Sequence, residues 1–137
     1  MSIQVELHQI IIREMEHEQF IVLKEVDGER RLPILIGSAE AFAIDRRLKG
    51  IPAARPLTHD LLANVIEAMG GVLEKIEITR LEYIAAADNT TFFANLSIRH
   101  DGKVLTIDCR PSDAIALGAA GSVPIYVAEK VMEQAAG

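Results

Sequence analysis

The sequence predicts an α+β fold, a mixed or antiparallel β-sheet packed with about four helices. Three observations lead there. Strand-like alternation fills the first third of the chain and returns from Val72 to Cys109. An amphipathic helical stretch follows each of these regions. Half of the 137 residues are hydrophobic but only 4% are aromatic, so the core must be aliphatic. A chain of this length buries roughly two-thirds of its unfolded surface. No linker or low-complexity segment divides it, and residues 1–137 are expected to form a single domain.

The elements follow in order. Val5 and Leu7 alternate until Ile10-Ile11-Ile12 breaks the phase, as a bulge would. A second strand covers Phe20 to Val26 and turns at Asp27-Gly28. The third aligns Leu32, Ile34 and Ile36 on one face, and Pro33 assigns it to an edge or a bulge. Gly37-Ser38 opens a helix to about Lys49, with Ser38 as N-cap, Gly50 as stop and Ala41, Ile44 and Leu48 as its buried stripe. After a short loop from Pro52 to Pro56, Thr58 caps a second helix that ends at Gly70-Gly71. Its core face is expected to be Leu61, Leu62, Val65, Ile66 and Met69.

From Val72, Ile76 and Ile78 alternate with Lys75, Glu77 and Thr79, as on a half-exposed strand. Thr91 to His100 aligns Phe92, Ala94, Leu96 and Ile98, and Asp101-Gly102 turns the chain into Lys103 to Cys109. Pro111-Ser112 opens an alanine-rich helix that ends near Gly121. Pro124 to Val127 is a short strand, and Ala128 to Ala135 a closing helix. Glu40-Ala41-Phe42-Ala43-Ile44 matches Asp113-Ala114-Ile115-Ala116-Leu117 in pattern, so the order admits an internal β-β-β-α pseudo-repeat.

Composition narrows the function classes. Cys109 is the one cysteine, which forbids an internal disulfide and suits a reducing compartment. The N-terminus lacks a basic region followed by an apolar run, and no apolar run is long enough to span a bilayer. A cytoplasmic protein with no membrane partner is expected. The net charge of −6 argues against a broad nucleic-acid-binding surface. Locally, however, Arg46, Arg47, Lys49 and Arg55 precede His59 with no acidic residue between them. Solvated cations at a helix C-terminus account for Arg46, Arg47 and Lys49 but not for Arg55.

Zinc signatures, phosphate-binding glycine loops, dinucleotide fingerprints and nucleophile elbows are all absent from the sequence. What remains is a pair of segments, Arg55-Pro56-Leu57-Thr58-His59-Asp60 and Arg110-Pro111-Ser112-Asp113. Each sets an arginine, a proline, a hydroxyl residue and an aspartate at a helix entrance, where free backbone N–H groups favour anions. Arg55 and Arg110 either grip phosphate through paired hydrogen bonds or clamp their own neighbours Asp60 and Asp113. Glu40, Asp60 and Asp113 either hold a hard cation such as Mg²⁺ or stabilise a helix dipole; Asp108, at a strand end, has no dipole to serve. His59 is the candidate proton carrier, with a capping or buried histidine as the alternative. His8, His17 and His100 read as surface residues. Phe93 shares a face with Asn95, Ser97 and Arg99, where either a base stacks or another element packs.

These segments, with Leu32-Pro33-Ile34-Leu35-Ile36-Gly37, the Glu40-Ala41-Phe42-Ala43-Ile44 run, Asp108-Cys109-Arg110 and Pro124-Ile125-Tyr126-Val127, resemble the bifunctional nuclease domain over nearly the whole chain. The resemblance implies an α+β fold, a small homodimeric or higher homo-oligomeric bacterial protein, and nuclease activity on both DNA and RNA. Glu40, Arg55, Thr58, His59, Asp60, Asp108, Arg110, Ser112 and Asp113 match its motif positions. Cys109 stands where the family pattern has a small residue such as alanine, and Gly118-Ala119-Ala120 lacks an expected basic residue.

The expectation is therefore a divalent-cation-assisted hydrolase of DNA and RNA phosphodiesters without sequence specificity. His59, Asp60, Asp108 and Asp113 would be catalytic, Arg55, Thr58, Arg110 and Ser112 would bind phosphate, and Glu40, Asp108 and Asp113 would hold the metal. The alternatives are a non-enzymatic regulatory module that binds a small anion, and a structural oligomerisation domain with pairing edge strands.

Overall fold

The computed structural model describes residues 1–137 apart from residues 14, 16 and 17, so the reading of His17 lies outside the described residues. The elements are β1 (Ser2–Ile11), β2 (Glu18–Glu25), β3 (Arg31–Gly37), α1 (Ser38–Lys49), α2 (Thr58–Ala68), β4 (Val72–Ile84), β5 (Asn89–His100), β6 (Lys103–Cys109), α3 (Pro111–Gly118), β7 (Ile125–Ala128) and α4 (Glu129–Ala135).

The strands form one seven-stranded sheet in the order β3-β2-β1-β7-β4-β5-β6. Neighbours are antiparallel except β4 and β7, which run parallel. This is the α+β architecture the patterning predicts, with a mixed sheet and four helices. Two three-stranded meanders flank the short β7. Each is followed by a helix, although α2 follows α1 directly whereas β7 separates α3 from α4.

Burial explains the registers. The bulge in β1 falls between Leu7 and Gln9, and the skipped residue returns Ile10 to the core-facing row opposite Ile21. Leu32, Ile34 and Ile36 are buried on β3, an edge strand, which is where Pro33 is tolerated. Asp101 and Gly102 both take positive φ (50° and 76°), the geometry of a two-residue hairpin turn.

One apolar cluster joins Ala41 and Ile44 of α1, Ile115 and Ala116 of α3, and Val131 and Met132 of α4 to Val5, Ile21, Leu23, Leu32, Ile34, Ile78 and Val127 of the sheet. A second surrounds Ile76, Leu96, Ile98, Ala114 and Leu117. The helices thus cover one face of the sheet. Strand alternation leaves Phe93, Asn95, Ser97 and Arg99 on the other. There the Arg80 guanidinium lies 4.1 Å from the Phe93 ring centroid, so the ring is covered from within its own sheet. A Cβ on Gly118 would come within 2.6 Å of Ile76 Cδ1, so a larger residue there would displace the tip of that buried side chain.

Five expectations need correction. Gly37, not Ser38, is the N-cap of α1; Ser38 is helical and its Oγ accepts from the buried Gln19 Nε2 at 3.3 Å. Leu57, not Thr58, occupies the N-cap of α2. Leu48 is half exposed rather than part of the stripe, and α3 stops at Gly118 rather than Gly121. The largest departure is α2, where Leu61, Leu62, Val65 and Met69 face outward and only Ala63 and Ile66 pack against the second cluster. Among the described residues no helix is long and apolar enough to cross a membrane.

Candidate functional site

Helices α1 and α3 pack together on the sheet and α2 packs beside α3, which gathers the entrances of all three helices around one cavity of about 810 Å³. Helix α1 contributes Ala39, Glu40, Phe42, Ala43 and Arg46. The start of α2 contributes Leu57, Thr58, His59 and Leu61, and the start of α3 contributes Arg110 and Asp113.

A continuous polar chain runs along the cavity. His59 Nε2 lies 3.2 Å from Asp113 Oδ1. Arg110 donates from Nε to Asp113 Oδ2 at 2.8 Å and from Nη2 to Oδ1 at 2.9 Å, a two-point fork. Its Nη1 donates to Glu40 Oε1 at 3.2 Å. The Arg110 guanidinium holds the Asp113 carboxyl below the ordinary carboxylate range against the opposing effect of burial, and His59 adds to the lowering. The Asp113 fork in turn pushes the Arg110 pKa up. Asp113 is therefore a permanent anion beside an imidazole whose side chain is 14% exposed. With Nε2 turned to Asp113, Nδ1 is the nitrogen left for a ligand. The Arg110 side chain is 62% exposed, with Nε and Nη2 given to Asp113 and Nη1 to Glu40.

Asp60 does different work. It accepts from Arg46 Nη2 at 2.7 Å, Arg47 Nη1 at 2.5 Å and the Leu57 backbone N–H at 3.0 Å. These donors, Arg46 foremost, lower its carboxyl to about 2 despite desolvation. Arg46 also donates to the Ile51 carbonyl at 2.8 Å, and Arg47 to the carbonyls of Ala116 at 2.6 Å and Leu117 at 3.2 Å. The end of α1 is thereby tied to the start of α2 and the end of α3. Asp60 is thus a brace outside the lining of this cavity, and it lines a neighbouring groove with Arg46, Arg47 and Arg55. Arg46 and Arg47 are not solvated helix-end cations; only Lys49, paired with Asp45 at 2.9 Å, fits that description.

Of the two alternative clamps, that of Arg110 with Asp113 is present and that of Arg55 with Asp60 is not. Arg55 is exposed, and among the described residues it has no hydrogen bond or ion pair. It lines an adjoining groove of about 370 Å³ that shares Arg46 and Pro56 with the main cavity. Thr58 lines the main cavity. Ser112 is buried and lines a different one, of about 290 Å³, which shares Glu40 and Arg110. Asp108 pairs in register with Asn95. Alternation therefore points it away from the helical face that Cys109 occupies, and it does not line the cavity.

The metal set expected from the sequence does not assemble. Glu40 and Asp113 are bridged by Arg110, Asp108 faces elsewhere, and no group of three His, Cys, Asp or Glu among the described residues is arranged to hold a metal ion. Cys109 is half-buried, and burial pushes its thiol up to about 11, so it is no nucleophile at neutral pH. Phe42 escaped sequence reasoning as a site residue. The signal was available, because residues 39, 42, 43 and 46 share one helical face.

A sequence model described as the bifunctional nuclease domain matches residues 21–137. An uncharacterized protein of Mycobacterium tuberculosis is 38% identical over 126 residues, 92% of this chain and 71% of that protein. Bifunctional nuclease 1 of Oryza sativa subsp. japonica is 26% identical over 124 residues, covering 88% of this chain and 36% of its own length. Bifunctional nuclease 1 of Arabidopsis thaliana is 27% identical over 111 residues, covering 78% and 32%. The chain thus spans about a third of the length of these plant relatives.

Proposed function

The chain belongs to the bifunctional nuclease domain family, and from that premise we propose that its cavity binds a nucleic-acid phosphate and hydrolyses DNA and RNA phosphodiesters without sequence specificity. The observation that carries this reading is the chain His59–Asp113–Arg110–Glu40 along one wall of the cavity. Arg110, the Thr58 hydroxyl and the entrance of α2 hold the phosphate. His59, oriented by Asp113, takes a proton from water through Nδ1. The resulting hydroxide attacks phosphorus, the bond from phosphorus to the leaving oxygen breaks, and the imidazolium returns its proton to that oxygen. Glu40 keeps the guanidinium in place. No step is assigned to a divalent cation, because the carboxylates present do not form its site.

A second reading has one observation in its favour. Both Asp113 oxygens accept from Arg110, which suits a static anion-binding module as well as a catalyst. Exposed apolar residues on α2 and on β6 (Val104, Leu105, Ile107) support a homo-oligomer under either reading. The separating experiment is hydrolysis of a single-stranded DNA or RNA oligonucleotide by highly purified protein, beside His59→Ala and Asp108→Ala. The catalytic reading expects a loss of about 10²–10⁴-fold for His59→Ala and the parental rate for Asp108→Ala. Absence of cleavage by the parent, with a thermal shift on adding nucleotide, supports the anion-binding module. Equal cleavage by parent and His59→Ala removes the nuclease assignment from this cavity.

A further inference from the structure

Resting on the phosphate-binding part of that reading, we infer that the cavity carries a nucleobase subsite, with the Phe42 ring as its stacking surface. The site then takes one nucleotide unit of an unpaired strand rather than a phosphate alone.

The cavity lining has two unlike parts. One carries His59, Arg110, Asp113 and Glu40. The other carries Phe42 and Leu61, which are 58% and 55% exposed. Phe42 is one of four phenylalanines in a chain without tryptophan, and it spends its ring on solvent. The small neighbours Ala39 and Ala43 on the same face of α1 leave the ring accessible from the cavity. Glu40, two residues before it, holds the guanidinium that would meet a phosphate. A flat π-surface and an anion site therefore border the same space. A volume of about 810 Å³ is far larger than phosphate requires and falls within the range of about 300–1,000 Å³ for organic ligands.

A nucleotide is the chemical class that supplies both an aromatic face and a phosphate. Stacking tolerates any base, in keeping with a site that lacks sequence preference. A base inside a duplex cannot reach the ring without leaving its stack, so the subsite favours single strands. Arg55, unpaired among the described residues, lies in the adjoining groove, where the next phosphate of a strand would run. Phe93, the stacking candidate read from the sequence, is instead covered by Arg80.

Because the chain has no tryptophan, Phe42→Trp introduces a single tryptophan at the proposed surface, excited selectively at wavelengths where the two tyrosines do not absorb. We expect AMP to quench it and ribose 5-phosphate, at equal concentration, to leave it unchanged. In calorimetry on the parent, AMP should bind at least about tenfold more tightly than ribose 5-phosphate. Phe42→Ala should abolish that preference and Phe42→Tyr should keep it. The inference is overturned if AMP does not bind the parent, if the two ligands bind equally, or if Phe42→Ala retains the preference. It is also overturned if the introduced tryptophan is shielded by a second copy of the chain and ignores AMP. None of these readouts needs turnover. A parent that fails to cleave but prefers AMP refutes the nuclease reading alone. A parent that cleaves an abasic strand as fast as a normal one refutes the subsite alone.

Discussion

Asp60 and Asp113 are each the third residue of a helix that follows an Arg-Pro segment, and the protein uses them in opposite ways. Asp60 is held by two arginines from another helix, whose side chains are 19% and 10% exposed, and by a backbone N–H. Asp113 is held by an arginine of its own segment that is 62% exposed, and it turns its remaining reach to His59. One carboxylate is fully committed to joining the end of α1 to the start of α2. The other stays charged between the His59 imidazole and an exposed guanidinium. The difference lies in the partners, not in the motif: a similar set of residue types at a helix entrance makes either a brace or a reactive cluster.

The sharpest way to break this contrast is His59→Ala, which should slow phosphodiester hydrolysis by about 10²–10⁴-fold. The melting temperature should stay near that of the parent, because His59 belongs to the cluster and not to the brace. A melting temperature that falls with the rate would put His59 in the scaffold instead.

The next effect is on acid stability. The folded carboxyl of Asp60 sits at about 2, below its ordinary 3.8. The unfolded chain therefore binds the proton first as pH drops. This stabilisation is fully present above the ordinary value and is lost as pH falls from there through about 2; the lowered carboxyl of Asp113 acts in the same direction. Thermal melts of Asp60→Asn across this window should show a flatter acid limb than the parent, from a lower starting value near neutrality. Parallel curves would mean that the Arg46 and Arg47 contacts add nothing to folding. The smallest effect is expected from Arg55→Ala. It should weaken oligonucleotide binding modestly and reduce the salt dependence by about one charge. An unchanged salt slope would place the strand elsewhere.

The strands were legible because aliphatic alternation in segments such as Leu32, Ile34 and Ile36 reports burial directly, and Asp101-Gly102 names its own turn. Two helix starts were misread by one residue. Ser38 and Thr58 are good capping types, but Gly37 and Leu57 hold the cap positions, and the Ser38 hydroxyl serves the buried Gln19. Periodicity showed that α2 is amphipathic but could not show what its apolar face meets. In the site, Glu40, His59, Arg110 and Asp113 were read from motifs alone and do converge. The pairing of Asp60 was not legible because its partners Arg46 and Arg47 lie on a preceding helix. The facing of Asp108 was not legible because strand parity, set by pairing with Asn95, turns it to the open face of the sheet.

Under the proposed function, Asp113 serves chemistry while Asp60 serves architecture. Asp113→Asn and Asp60→Asn should therefore be compared for both cleavage rate, well below either melting point, and melting temperature. We expect Asp113→Asn to lose about 10²-fold in rate through misorientation of His59 with little change in melting. Asp60→Asn should melt several degrees lower while keeping most of its rate. The opposite pattern, with Asp60→Asn inactive but stable and Asp113→Asn active but unstable, would contradict the account.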